Sequence, residues 1–307
     1  MNILHMKYAV EVARLGSLNK AAESLIIAQP NISRSIKELE SDLGISIFNR
    51  SAKGMVLTPE GAEFINYAQG ILKQIDEVEL LYKSGAPRKQ KLSVSVPRAC
   101  YIADAFADFS KELTSDPAEI SYRETNSQQT INGVLSNDYK LGIIRYPEIN
   151  DKQFKAYLDE KGLTYEMVAE FSYVLLMSQS SPLAMQEEIA QDDLAPLIEI
   201  SHADPHVPAP LFAKIDKEER SDSTDRKIIL SDRAIQFDLL SRNPQSYMWV
   251  SPVPQKILER YGLIQRACIG TQRRYKDVLI YRNGYKLTKI DKQFITFLCE
   301  ARRTHLK

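Results

Sequence analysis

The stretch Gln29-Pro30-Asn31-Ile32-Ser33-Arg34-Ser35-Ile36-Lys37-Glu38-Leu39-Glu40-Ser41-Asp42-Leu43-Gly44 decides how the first part of the chain is read. Ile32, Ile36, Leu39 and Leu43 recur at helical spacing and form one apolar stripe. Pro30 suits a first helical turn, and Gly44 ends the pattern. With the stripe turned inward, a step of about 100° per residue directs Pro30, Arg34, Lys37 and Ser41 outward. Asn31 and Ser33 flank that face, and Gln29 stands at the entrance. Short polar and basic side chains near a helix N-terminus are what base edges in a major groove require. Gln and Asn match adenine, and Arg matches guanine. Any amphipathic surface helix has two such faces, so this helix alone names no partner.

Its surroundings say more. Leu4, Tyr8, Ala9, Val12 and Ala13 mark an earlier helix that Gly16 stops. Ser17 is a natural N-cap for a second helix through Ala21, Ala22 and Leu25. After Gly44, the run from Ile47 to Thr58 places two short apolar segments around a polar turn with Lys53 and Gly54, a hairpin signal. Thr58-Pro59-Glu60-Gly61 opens a long helix whose Phe64, Ala68, Ile71, Ile75, Val78 and Tyr82 form a heptad-like seam. Such a seam either faces a globular core or pairs two subunits. Gly85-Ala86-Pro87 ends it, and the basic stretch Arg88–Lys91 reads as a hinge.

Taken together, Ala21-Ala22-Glu23-Ser24-Leu25, the quoted stretch, Phe48-Asn49-Arg50 and Leu57-Thr58-Pro59-Glu60-Gly61 resemble the signature of LysR-type transcriptional regulators across residues 3–85. The resemblance implies a winged helix-turn-helix that docks on double-stranded DNA through Gln29, Pro30, Asn31, Ser33, Arg34 and Lys37. It assigns Arg50 and Lys53 to a wing that contacts phosphate or the adjacent minor groove. It implies a homodimer, or a tetramer, paired along Phe64, Ala68, Ile71, Ile75, Val78 and Tyr82 and reading a pseudo-palindromic promoter site. One departure stands out. Ala28 occupies a position where the family commonly has Ser, so a helix-capping or phosphate-binding hydroxyl is missing.

Composition narrows the function classes. Lys and Arg total 40, matched by 40 acidic residues, so any DNA-binding face must be local rather than a property of the whole chain. Three scattered cysteines form no disulfide framework, which fits a reducing compartment. The N-terminal MNILHMKYAVEVARLGS lacks the pattern of a secretory leader, and no run approaches the roughly 20 apolar residues of a membrane span. The expectation is a cytoplasmic protein. No Gly-rich phosphate loop, nucleophile elbow or zinc-protease motif stands out, so no enzyme, cofactor or metal is expected. His202 and His206 flank Asp204 without a third ligand in evidence.

From residue 91 the pattern changes. Leu92–Val96, Ile120–Tyr122, Leu141–Ile144, Tyr173–Met177, Leu197–Ile200, Lys227–Leu230, Tyr247–Val250 and Asp277–Tyr281 read as strands, with helical patterns between several of them. That alternation predicts an α/β fold with parallel sheets in two lobes. The resemblance implies a periplasmic-binding-protein-like effector domain. The expected divisions are 1–58 for the winged helix-turn-helix, 59–90 for the linker helix and hinge, and 91–307 for the effector domain. Within the last, lobe one is 91–162 with 269–307, and lobe two is 163–268. A small effector is then expected between the lobes at strand C-terminal ends. The candidate contacts are Pro97, Arg98, Ala99, Cys100, Thr125, Asn126, Ser127, Gln128, Arg145, Tyr146, Ser201 and His202. Arg98 and Arg145 would suit an anion or make salt bridges, while Cys100 reads as a small buried packing residue ahead of a redox sensor. A two-lobed solute receptor and an enzyme are the competing classes.

Overall fold

A computed structural model describes residues 2–51, 54–83, 89–113, 117–202, 224–270 and 274–306. Helix α1 (Ile3–Leu15) starts where Asn2 Oδ1 accepts the Leu4 N–H at 2.9 Å, and it ends at Gly16 in the left-handed conformation. Ser17 caps α2 (Leu18–Leu25), and α3 (Gln29–Leu43) stops at left-handed Gly44. Strands β1 (Phe48–Ser51) and β2 (Gly54–Leu57) pair antiparallel. Thr58 then launches α4 (Pro59–Lys83), its Oγ1 accepting the Gly61 N–H at 2.8 Å. Ala9, Val12, Ala21, Ile32, Ile36, Leu39, Ile47 and Ile65 bury one core that joins these elements.

Glu11 adds a polar tie between the first two helices. Ser24 Oγ donates to its Oε1 at 2.6 Å, and Arg14 binds both carboxylate oxygens. The Arg14 and Ser24 hydrogen bonds hold the Glu11 carboxyl down at about 2, below its ordinary 4.5.

A first compact unit comprises residues 1–88 with 132–139, and a second comprises 89–131 with 140–307. The second unit contains two five-stranded sheets. The first sheet has β3 (Gln90–Val96) between β4 (Ala118–Glu124) and β5 (Leu141–Pro147), all parallel. Beyond β5 lie β14 (Arg274–Arg282) and then β6 (Leu163–Ser172), both antiparallel to their neighbours. Helix α5 (Cys100–Ser110) and the C-terminal α10 (Lys289–His305) cover one face, where Tyr101, Phe109, Phe294 and Leu298 are buried. Helices α6 (Ser127–Leu135) and α7 (Asp151–Glu160) complete this half.

The second sheet runs β10 (Lys227–Leu230), β9 (Ile198–His202), β11 (Ser246–Val250), β7 (Val174–Ser178) and β12 (Leu263–Arg266). Its two faces bury separate apolar clusters, one around Leu175, Tyr247 and Trp249, the other around Leu176, Met248 and Leu240. Helices α8 (Gln236–Arg242) and α9 (Gln255–Tyr261) belong to this half. A minor pair, β8 (Ile189–Ala190) with β13 (Cys268–Ile269), lies beside it.

Two expectations change. The sheets are mixed rather than parallel, since each has one strand, β14 or β7, running antiparallel to the other four. The second lobe also begins later than residue 163, because β6 pairs along its whole length with β14 in the first sheet. Its alternation is hard to read because the register shifts at Asp277/Val278. The chain passes between sheets twice, at Tyr173 and between Arg266 and Arg274. These passages are neighbours, since Ser172 pairs with Arg274 and Leu175 with Arg266.

A carboxyl whose pKa is lower in the folded state stabilises fully above its unfolded pKa and loses that contribution as pH falls towards the folded value. Thermal unfolding of wild type and Glu11→Gln, followed from neutral pH down to about 2, therefore has a defined outcome. Wild type leads above pH about 4.5, and its lead shrinks steadily below that. A lead that is independent of pH would remove Glu11 as the cause.

Candidate functional site

Helix α3 buries Ile32, Ile36 and Leu39 and exposes Pro30, Asn31, Arg34, Lys37 and Ser41, while Gln29 and Ser33 are half-buried. The buried stripe fixes which way the polar face points. Arg34 Nε donates to Glu38 Oε1 at 2.9 Å. Both groups are largely exposed, and such a pair is worth at most about 1 kcal/mol, so Arg34 can exchange Glu38 for another anion at little cost. Ala28 is the N-cap and makes no side-chain cap bond.

The hairpin is anchored to α3 and to the α1–α2 turn. Glu40 Oε1 accepts the Ile47 N–H at 2.7 Å and the Phe48 N–H at 3.2 Å. The Met55 N–H donates to Gly16 O at 2.9 Å. Gly54 has φ +110, and a Cβ there would lie 2.4 Å from the Gly16 carbonyl oxygen, so only glycine allows this approach. Arg50 pairs in register with Met55. The Arg50 side chain and all of Lys53 lie outside the described residues.

On α4 the expected seam divides. Phe64 packs on the N-terminal core beside buried Ile65, and Ala68 is buried within the chain itself. Ala68 therefore belongs to the fold of one chain, a correction to its place in a dimer seam, while Phe64 is half-buried like Ile71 and Ile75. Ile71 and Ile75 are half-buried and Val78 is 55% exposed, while the Tyr82 side chain lies outside the described residues. Gly70 sits against the Leu135 and Ser136 carbonyls, and Lys73 Nζ binds Asp138 at 2.9 Å, which explains why 132–139 joins this unit.

In the second unit, β3 and β4 end side by side, with Val96 opposite Glu124, and β9 ends with His202 opposite Leu230. Arg233, just past β10, joins the two ends. It forms an ion pair with Glu124, and its Nη2 donates to Cys100 Sγ at 3.1 Å. His202 Nε2 pairs with Gln236 Oε1 at 2.9 Å. Lys256 to Asp104 is a second ion pair between the halves.

This geometry revises the candidate contacts. Pro97, Ala99 and Cys100 are buried, leaving Arg98 as the half-exposed side chain of its run. Burial pushes the Cys100 thiol up, against the pull of Arg233. Asn126 Oδ1 accepts the Gln129 N–H at 2.8 Å, and the Thr125 hydroxyl bonds Gln129, so both shape the start of α6. The Ser127 hydroxyl accepts the Arg145 N–H and donates to the Arg145 carbonyl, locking α6 to β5. Gln128 is buried, and Ser201 is half-buried at the end of β9. Asp204 and His206 lie outside the described residues.

Arg145 and Tyr146 are the clearest corrections. Arg145 Nε and Nη2 bind the two Asp277 oxygens at 2.7 Å each, and its guanidinium lies over the Phe171 ring. Tyr101 donates to Asp277 as well, at 2.6 Å. Burial opposes the Arg145 charge, but Asp277 beside it raises its pKa well above the ordinary value. Its fork is thus filled from within. Tyr146, the next residue, points to the other sheet face and stacks on Phe154 at 4.2 Å. Sequence reading passed over Asp277, Glu124, Arg233 and Glu40 as site-forming residues. Each is a single charged residue whose partner is remote in sequence or a backbone group, and periodicity does not signal that. Only Arg233 had a positional cue, just beyond a strand end.

Residues 3–62 match the family model described as bacterial regulatory helix-turn-helix protein, lysR family. YcgK of Bacillus subtilis, an uncharacterized HTH-type transcriptional regulator, is 44% identical over 101 residues, 32% of this chain and 30% of that protein. The matches to the first curated relatives span less than two thirds of those proteins. Full-length LysG of Corynebacterium glutamicum, solved with bound effector Arg, shares the fold at TM-score 0.59 with 14% identity, over 100% of both chains. CbnR in complex with its target DNA matches at TM-score 0.55 and 18% identity, over 98% of this chain and 100% of that one. No helix among the described residues is long and apolar enough to cross a membrane.

Two measurements follow. Ala28→Ser supplies the absent cap and should raise stability by about 1 kcal/mol in thermal unfolding, whereas an unchanged midpoint would show that the cap position is already satisfied. Asp277→Ala strands the buried Arg145 and should cost about 3–5 kcal/mol in denaturant unfolding. A loss below about 1 kcal/mol would mean that the pair behaves as a surface pair.

Proposed function

We propose that this chain, whose residues 3–62 match the lysR-family helix-turn-helix model, is a sequence-specific DNA-binding transcriptional regulator controlled by a small effector. The observation that carries the reading is α3: its apolar stripe is buried, and Pro30, Asn31, Arg34 and Lys37 stand exposed. Gln29, Asn31, Ser33 and Arg34 read base edges, and Lys37 and the wing residues Arg50 and Lys53 bind phosphate. One such module buries little surface. Two copies paired along α4 through Ile71, Ile75, Val78 and Tyr82 would present two recognition helices to a pseudo-palindromic site. A protein of this kind acts in the cytoplasm on promoter DNA and catalyses no reaction.

The effector reading rests on strand ends from both sheets meeting at Arg233. CbnR has been seen on its target DNA and LysG with arginine, and the shared fold supports the same division of labour here. An anionic group is favoured by Arg98 and Arg233 at these ends, in place of Arg145. Effector binding would shift the balance between lobe arrangements and so change how paired modules engage and bend DNA.

The test is fluorescence anisotropy with the chain's own promoter-region DNA and a scrambled control. Affinity for the promoter should fall steeply with salt. Arg34→Ala should cost about 1–3 kcal/mol and narrow the preference over the scrambled duplex. Lys37→Ala should weaken both duplexes alike and reduce the salt slope by about one. Equal binding to both duplexes by wild type, or none at low salt, would defeat the reading. A thermal-shift panel of anionic metabolites tests the effector separately, since a ligand of the folded state raises its midpoint.

A further inference from the structure

The turn that delivers the chain into α3 is built at an unusual cost. Ile26 follows α2 with φ 56 and ψ 46, its N–H bonded back to Ala22 and Glu23, while the Ile27 N–H reaches Ala22 O at 3.0 Å. This helix ending requires a left-handed residue, a place for Gly or Asn. A β-branched residue is strained there. The other non-glycine residue with positive φ among those described is Asn137, a tolerant type.

Packing does not offset the strain. Ile27 turns into the N-terminal core, but Ile26 is 91% exposed. It is followed at alternate positions by exposed Ala28 and Pro30, so an apolar edge runs up to the polar face of α3. Strain that persists without local compensation is characteristic of functional contacts. The edge is continuous with the interface assigned above to DNA. In a major groove the apolar feature offered to a protein is the C5 methyl of thymine.

We propose that Ile26, with Ala28 beside it, is a specificity-determining contact that packs on a thymine methyl in each half-site. The inference rests on the DNA-binding reading and adds a base preference that hydrogen bonding from α3 does not supply. It also gives Ala28 a role: a serine hydroxyl there would bring water to the apolar edge.

The test replaces each thymine of the bound promoter fragment in turn by deoxyuridine, which keeps every hydrogen-bonding group and removes only the methyl. Wild-type full-length protein should lose about fourfold in affinity at one thymine per half-site, the worth of one buried methyl group. Ile26→Asn and Ile26→Gly should bind less tightly, show no further loss at that position, and unfold at the same or a higher temperature. Insensitivity of wild type to every replacement overturns the proposal, as does unchanged sensitivity in both variants. Variants that reduce self-association of DNA-free protein and leave the deoxyuridine response intact would assign the edge to a second copy instead. A protein that binds no promoter DNA fails the preceding reading, and this one with it.

Discussion

One carboxylate sets the geometry on which the N-terminal unit depends. Glu40, near the end of α3, accepts the Ile47 and Phe48 N–H groups at the start of the hairpin. The proposed docking on a duplex would use helix and hairpin at different places, and a fixed angle between them would let both engage without reorganisation. The two N–H groups would otherwise lack a partner at the edge of a buried core. Gly54 against Gly16 supplies the second fixed point. The polar face of α3 is therefore presented by a rigid body whose core, from Ala9 to Ile65, lies behind it.

In the second unit the decisive charge is one that does not face a ligand. Arg145 was a natural candidate for an anion site, standing at a strand end beside a helix start. Asp277 takes up its Nε and Nη2, Tyr173 accepts from Nη1, and Tyr101 in turn donates to Asp277, so the Arg145–Asp277–Tyr101 group joins β5, β14 and α5. Arg233 holds the corresponding position from the other sheet. It already carries Glu124, so a bare anion that displaced Glu124 would leave a carboxylate stranded in a half-closed space. A ligand that also offers a donor to Glu124 avoids that penalty.

Much of the N-terminal unit was legible because its signals are local. Gly16, Ser17 and Gly44 act within one turn, and the stripe Ile32–Leu43 needs only helical period. The seam on α4 was legible as a pattern but ambiguous as to partner, since Phe64 obeys the same period while packing on its own chain. Strand β6 was not legible, because its register shift breaks alternation and its partner β14 lies more than a hundred residues away. The same distance hid Asp277 from Arg145 and Glu124 from Arg233. Ile26 was a different case: the residue was visible, but its left-handed backbone and exposure were not.

The two passages between the sheets lie next to each other, with Ser172 opposite Arg274 before the crossing and Leu175 opposite Arg266 after it. Two adjacent connections behave as a ribbon rather than as a single tether. A ribbon flexes readily out of its own plane and resists bending within it, so a few backbone dihedrals near Tyr173 can absorb an opening of the lobes while sideways sliding stays disfavoured.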